Sequence, residues 1–148
     1  MTPVIFKKKN MMYNTFMSTN VTIPELSEKI ADVLQVISPP ARIAILLSIG
    51  RSEACVCHLE AILGWRQAYI SQHLMALRKA DILQDRREGR YVYYRLKDMG
   101  ILALVRDAAV LSGLPLSSVD ALTNISPGSS CECPHCGPEL IVIQASNQ

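Results

Sequence analysis

Apolar residues recur at helical spacing from Ile23 through Leu26, Ile30 and Val33 or Leu34 to Ile37, and Pro24 stands where a helix can open. Pro39-Pro40 ends that helix and opens another, Ala41 to Ile49, which Gly50 stops. Ser52 reads as the N-cap of a short helix from Glu53 to Leu63, with Gly64 as its C-terminal stop. A further helix, Arg66 to Ala80, follows after a turn of two or three residues, and two helices joined so tightly through a glycine have helix-turn-helix spacing. Ile82-Leu83 and Tyr91 to Leu96 then read as strands flanking Arg-Arg-Glu-Gly-Arg, with Gly89 able to supply the positive φ of a hairpin tip. Over residues 98–112, Ile101, Leu104 or Val105, Ala108 and Leu111 return to helical spacing. A last helix this apolar in so small a domain is expected to pack against another subunit.

The pattern predicts a mainly α fold with a small β-hairpin, a winged helix-turn-helix, over residues 21–112. Residues 1–20, rich in Met, Asn, Thr and Lys without an apolar period, read as a flexible arm, and methionines at 11, 12 and 17 leave the true start open. Residues 113–148, rich in Ser, Pro and Gly, read as an irregular cysteine-bearing tail, ordered mainly when something binds it. With 148 residues, of which 49% are hydrophobic, the chain can bury one ordinary core but not a second large one.

Charge sharpens this picture. The formal net charge is +2, but residues 62–97 hold eight Lys/Arg against three Asp/Glu, so the positive surplus sits on the helix-turn-helix and hairpin, where a polyanion would dock. Apolar runs such as Ile43 to Ile49 and Leu140 to Ile143 fall short of the roughly 20 residues a membrane span needs. No apolar stretch follows the early lysines, so the start does not read as a secretory signal, and a cytoplasmic protein is expected. In that reducing setting five cysteines, an odd number, suit thiol ligands or redox sensors better than a disulfide framework.

The order of elements, with Cys55-Val-Cys-His-Leu, Gln72-His-Leu and Arg86-Arg-Glu-Gly-Arg-Tyr-Val-Tyr-Tyr-Arg-Leu96, resembles the ArsR/SmtB family of dimeric winged-helix repressors over roughly residues 24–112. The resemblance implies a homodimer whose first and last helices pair and which leaves its operator when a metal or metalloid binds. It also implies a thiol sensor combining the Cys-x-Cys pair with a cysteine from elsewhere, sometimes the arm of the opposing subunit. Here the arm carries no cysteine, so the available extra thiols are in the tail, and His58 replaces the Asp common after the pair. The Asp and His ligands that the family's zinc sensors place on the last helix are not matched, because residues 98–112 contain no histidine.

In the second motif helix Gln67, Tyr69, Ser71, Gln72 and His73 suit base edges in the major groove, and Ile70, Leu74 and Leu77 suit the buried side. Arg66, Arg78 and Lys79 are placed for phosphates, and Arg86, Arg87 and Arg90 for a flanking minor groove or backbone. Two recognition helices on a twofold axis fit major-groove segments about 34 Å apart, so the expected partner is a double-stranded, inverted-repeat operator. Tyr91, Tyr93 and Tyr94 read as sheet packing.

Cys55 and Cys57 sit near the N-terminus of the first motif helix, where exposed N–H groups and the helix dipole favour the thiolate that soft ions bind. On a regular helix, positions two apart point about 200° apart, so either binding loosens the first turn or only one cysteine is a ligand. Cys131, Cys133 and Cys136 with His135 form a second cluster, which can complete the first or hold its own ion. Three thiolates suit As(III), Sb(III) or Pb(II), and four, or three with a histidine, suit Cd(II) or Zn(II). His58 is an extra nitrogen ligand or an exposed polar residue. The competing expectations are a thiol-redox switch on the same fold and a zinc-stapled protein-interaction module. An enzyme is not expected, since no βαβ context or phosphate-cradling loop accompanies the cysteines.

Overall fold

Helix α1 (Ile23–Ile37) starts where its sequence directs: the Thr22 N–H donates to the Glu25 carboxylate at 3.2 Å, and a proline occupies the first turn. Pro39, which cannot continue a helix, turns the chain by 80° into α2 (Pro40–Ile49). The remaining elements are β1 (Glu53–Cys55), α3 (Val56–Leu63), α4 (Gln67–Lys79), β2 (Leu83–Glu88), β3 (Tyr91–Leu96), α5 (Gly100–Leu111) and α6 (Leu116–Leu122). This computed structural model describes residues 21–123 and 131–135. The arm 1–20, and Cys136 in the tail, lie outside the described residues.

The main core gathers one side of every helix in the motif: Ile45, Leu46 and Ile49 from α2, Leu59 from α3, and Ile70, Leu74 and Leu77 from α4. Each such side chain taken from water contributes about 1.5–3 kcal/mol. Leu102 and Val105 of α5 close the core from the other end. Gly64 ends α3 at φ +66°, the left-handed conformation glycine tolerates, and so sets the tight turn into α4.

Two expectations are corrected. Residues 53–55 are not the first turn of a helix but a short strand on the free edge of β3, with Glu53 opposite Arg95, Ala54 opposite Tyr94 and Cys55 opposite Tyr93. The backbone of β3 offers three residues a ladder before the helix begins, so the sheet is three-stranded, β1-β3-β2, and Cys55 rather than Ser52 caps α3. Within the stretch read as irregular from Gly113, Leu116–Leu122 forms α6. Its buried Val119 and an Arg106–Asp120 ion pair at 2.9 Å hold it on the rest of the fold. Seven residues are too few for a period to stand out. Gly50 fixes its far end: at φ +57° it passes so close to Thr123 that a Cβ would fall 2.5 Å from the Thr123 carbonyl oxygen.

Strand alternation divides the sheet into two faces. Ala54, Leu83 and Leu96 point into the main core, whereas Cys55 and Tyr93 belong to a second, smaller cluster with Cys131 and Cys133. That second cluster is roofed by the described tail residues 131–135.

Candidate metal centre and nucleic-acid interface

The early end of β1 decides the geometry of the thiols. Cys55 is extended at φ −85°, ψ 168°, and Cys57 is already helical, so the two side chains are not constrained to opposite sides of one helix. Their sulfurs lie 2.8 Å apart. The open question of whether both could reach one ion is answered by this break in the backbone. Cys131 enters from the tail, with its sulfur 2.9 Å from that of Cys57 and 3.8 Å from that of Cys55. Cys133 completes the group, and the four sulfurs all lie within 4.8 Å of one another.

An ion held by four sulfurs at about 2.3 Å needs sulfurs roughly 3.8 Å apart, and a disulfide needs about 2.05 Å. The Cys55–Cys131 separation matches the first value, the 2.8 and 2.9 Å separations fall between the two, and none of the four residues is in a disulfide. The donor set therefore fits a soft ion with small outward shifts of the sulfurs. Cys55, Cys131 and Cys133 are buried and Cys57 is half-buried, so solvent has limited access to the centre.

Burial also reverses one expectation. The His58 N–H donates to the Cys55 sulfur at 3.4 Å, as an N-cap should, yet loss of solvent outweighs it and pushes the Cys55 thiol up. Burial, then the Cys131 thiol, pushes Cys57 up to about 11. Without an ion these are thiols, not the preformed thiolates that the helix dipole alone would favour.

His135 does not join the sulfurs. Its Nε2 lies 3.0 Å from the Arg86 guanidinium and 3.4 Å from the Glu88 carboxylate, and its ring meets the edge of Tyr93 at 4.7 Å. Arg86, expected at the wing tip facing DNA, instead donates from Nε to Glu53 at 2.9 Å and from a terminal nitrogen to Glu88 at 2.6 Å, with its guanidinium over the Tyr93 ring. The same guanidinium holds the Glu53 carboxyl below its usual range. A second bridge joins tail and wing where the Tyr91 hydroxyl donates to the Glu132 carbonyl at 3.4 Å and accepts from Arg90 at 2.8 Å.

The other expected surface lies across the core. Arg66 caps α4, and Arg66, Gln67, Tyr69, Gln72, Arg78 and Lys79 are exposed while Ser71 and His73 are half-buried. Trp65, Tyr69 and His73 form an edge-to-face ladder up this side, with centroids 5.4 and 4.6 Å apart. Burial, then Arg42, holds the His73 pKa below its ordinary value. Arg78 shares Asp85 at 3.3 Å. Arg87 donates to the Gly89 carbonyl at 3.3 Å, which leaves its charge at the wing tip.

A family profile described as bacterial regulatory protein, arsR family, matches residues 39–85, from α2 through α4 into the wing. A solved structure of the transcriptional regulator HlyU from Vibrio vulnificus superposes with a TM-score of 0.55 at 31% identity, covering 60% of this chain and 92% of that one. The chain belongs to the ArsR/SmtB family. It is 36% identical over 89 residues to the HTH-type transcriptional repressor SmtB of Mycobacterium tuberculosis, covering 60% of this chain and 66% of that repressor. Over 65 residues it is 46% identical to the arsenic resistance transcriptional regulator ArsR1 of Pseudomonas putida, covering 43% of this chain and 51% of that regulator. The chain thus spans less than two thirds of the length of either curated relative.

Glu53 and Tyr93 belong to the site although neither was expected there. Glu53 was assigned to a helix, and Tyr93 had only a strand period to recommend it. Their signal lies in the parity of the sheet, which puts Cys55 and Tyr93 on one face only once β1 is paired.

Proposed function

We propose that this chain is a metal- or metalloid-responsive repressor that binds operator DNA as a homodimer and is released when a soft ion is held by Cys55, Cys57, Cys131 and Cys133. The observation that carries this reading is the convergence of four sulfurs, two from the start of the helix-turn-helix and two from the tail. The ion class is As(III), Sb(III), Cd(II), Pb(II) or Zn(II): Cys55, Cys57 and Cys131 suit a pyramidal ion, and Cys133 makes the set tetrahedral. Similarity to an arsenic resistance regulator supports the metalloid end of this range.

Dimerisation through α1 and α5 is supported by an unpartnered apolar stripe. Leu26, Ile30 and Leu34 on α1 and Leu104 and Val110 on α5 are exposed, and a largely apolar cavity of about 490 Å³ opens where α1, α2, α5 and α6 meet. The dimer acts in the cytosol on an inverted-repeat operator, reading bases with Gln67, Tyr69, Ser71, Gln72 and His73 and holding phosphates with Arg66, Lys79, Arg87 and Arg90. Among the described residues no single helix is long and apolar enough to cross a membrane.

When bound, the ion supplies one positive centre that the thiolates share. Cys131 and Cys133 then keep the tail over the sheet, where His135 and the Glu132 carbonyl engage Arg86 and Tyr91 on the wing. Cys55 and Cys57 fix the start of α3, which packs on α4. The wing and the recognition helix are therefore both biased from one site. A coupling of about 1–3 kcal/mol, typical of such switches, weakens operator binding roughly 5- to 150-fold, and DNA weakens ion binding equally.

Titrating operator-bound protein with As(III), Cd(II), Pb(II) and Zn(II) tests this, using the full chain, Cys55→Ser, and a chain ending at Gly128. Loss of response in both variants is the expected result. A response retained after removal of the tail contradicts the roles given to Cys131 and Cys133. A second reading, a thiol-redox switch, is favoured by the 2.8 and 2.9 Å sulfur separations. A disulfide between Cys57 and Cys131 would pass two electrons and two protons to a peroxide. Thiol counting after peroxide in the presence of chelator separates the two readings.

A further inference from the structure

Strand pairing puts Arg86 in one row with a proposed ligand: across the sheet Cys55 stands opposite Tyr93, and Tyr93 opposite Arg86. Side chains in such a row share a face, so Arg86 points to the sulfur side and Arg87 to the other. There Nε donates to one Glu53 oxygen at 2.9 Å and a terminal nitrogen donates to the other. The second terminal nitrogen donates to Glu88 at 2.6 Å, and the guanidinium carbon lies 4.7 Å from the centre of the Tyr93 ring. A guanidinium has no acceptor, so the His135 Nε2 at 3.0 Å accepts from it as well. Glu53 precedes Cys55 by two residues, and His135 follows Cys133 by two. One side chain thus grips both segments that carry the sulfurs. The Arg86 side chain is 42% exposed, where an isolated ion pair contributes little. Arg86 is not in an isolated pair: both prongs of its planar fork hold Glu53, and a phosphate would have to displace that carboxylate together with Glu88 and the histidine.

We infer that Arg86 is a positioning residue of the sulfur centre rather than a DNA contact: it ties the tail to β1, so that Cys131 and Cys133 meet Cys55 and Cys57. The inference rests on the soft-ion reading of the four cysteines and goes beyond it by moving a basic wing residue from the operator to the sensor. With Arg86 in place the sulfurs are gathered before any ion arrives, so the ion does not have to order the tail.

The test is Arg86→Gln in the full, reduced chain, because glutamine keeps a polar stem and removes the charged fork. Without ion, Cys131 and Cys133 should react several-fold faster with an aromatic disulfide reagent, followed by peptide mapping, while the urea midpoint stays at the wild-type value. In chelator competition Cd(II) should bind roughly tenfold more weakly, the low end of the usual cost of losing an outer support of a metal ligand. In a His135→Ala background the same substitution should cost less than it costs alone. For ion-free protein on an operator duplex, the slope of log affinity against log salt should match wild type, whereas Arg87→Gln should lower it by about 0.9.

Labelling rates and Cd(II) affinity equal to wild type in Arg86→Gln would overturn the role of Arg86. Changes in both that track a lower ion-free urea midpoint would overturn it as well, because Arg86 would then only be stabilising the fold. A salt slope lowered by about 0.9 would make Arg86 a phosphate contact and end the reassignment. A wild-type chain without any sulfur-to-cadmium charge-transfer band would overturn the soft-ion reading instead, and the ion-free labelling rates would still decide whether Arg86 holds the tail.

Discussion

Helix α4 and the sulfur cluster are the two ends of the proposed switch, and they are held together differently. α4 buries Ile70, Leu74 and Leu77 along one side and leaves Gln67, Tyr69 and Gln72 in solvent, so one helix supplies both its own anchor and its working face. The cluster has no element of its own. It takes Cys55 from the end of a strand, Cys57 from the first turn of a helix, a wall from Tyr93, and Cys131 and Cys133 from more than seventy residues away. The proposed reading face therefore rests on an anchor in its own helix, whereas the proposed sensing site depends on where the tail lies.

The largest expected effect comes from breaking the anchor. Leu74→Ala should destabilise the chain by about 2–5 kcal/mol in urea unfolding, and operator binding and ion binding should fail together with the fold. Next, Cys131→Ser should separate the two regions: ion-free operator affinity persists by fluorescence anisotropy, while the ion-dependent loss of about 1–3 kcal/mol disappears. Gln72→Ala is its mirror image. It should cost about 1–3 kcal/mol of discrimination against altered operator bases while the response to ion stays intact.

The legibility of the two regions follows the same divide. Period-3.6 and period-2 patterns carry α1, α2, α4, α5 and the wing, because each element lines up its apolar residues on one side. That side is buried within the chain in α2, α4 and α5 and, apart from Ile37, exposed in α1. The convergence of Cys55 and Cys57 was not legible, because it depends on residues 53–55 pairing with β3 some forty positions away. Nor was the fate of Arg86. By composition it belonged to the basic wing, but strand parity put it beside Glu53 and the tail histidine. The Cys-rich motif announced sulfur chemistry, but only the fold shows which sulfurs meet.

Acidity sharpens the contrast further. Burial pushes the Cys57 thiol up to about 11 and Cys55 upward, so holding an ion displaces protons. Raising the pH from 6 to 8 should tighten ion binding by about tenfold per unit for each proton displaced, measured by chelator competition. The smallest effect belongs to the phosphate contacts. Lys79→Ala should lower the slope of log affinity against log salt by about 0.9 and leave both sequence preference and ion response unchanged.

The central claim is that filling the sulfur cluster weakens the hold of α4 and the wing on DNA. It is tested most directly by anisotropy titration of an operator duplex with the reduced wild-type chain, ion-free and then saturated with As(III) or Cd(II). The account predicts tight, salt-dependent binding of the ion-free protein and a roughly 5- to 150-fold loss on saturation. Equal operator affinity in the two states would contradict it.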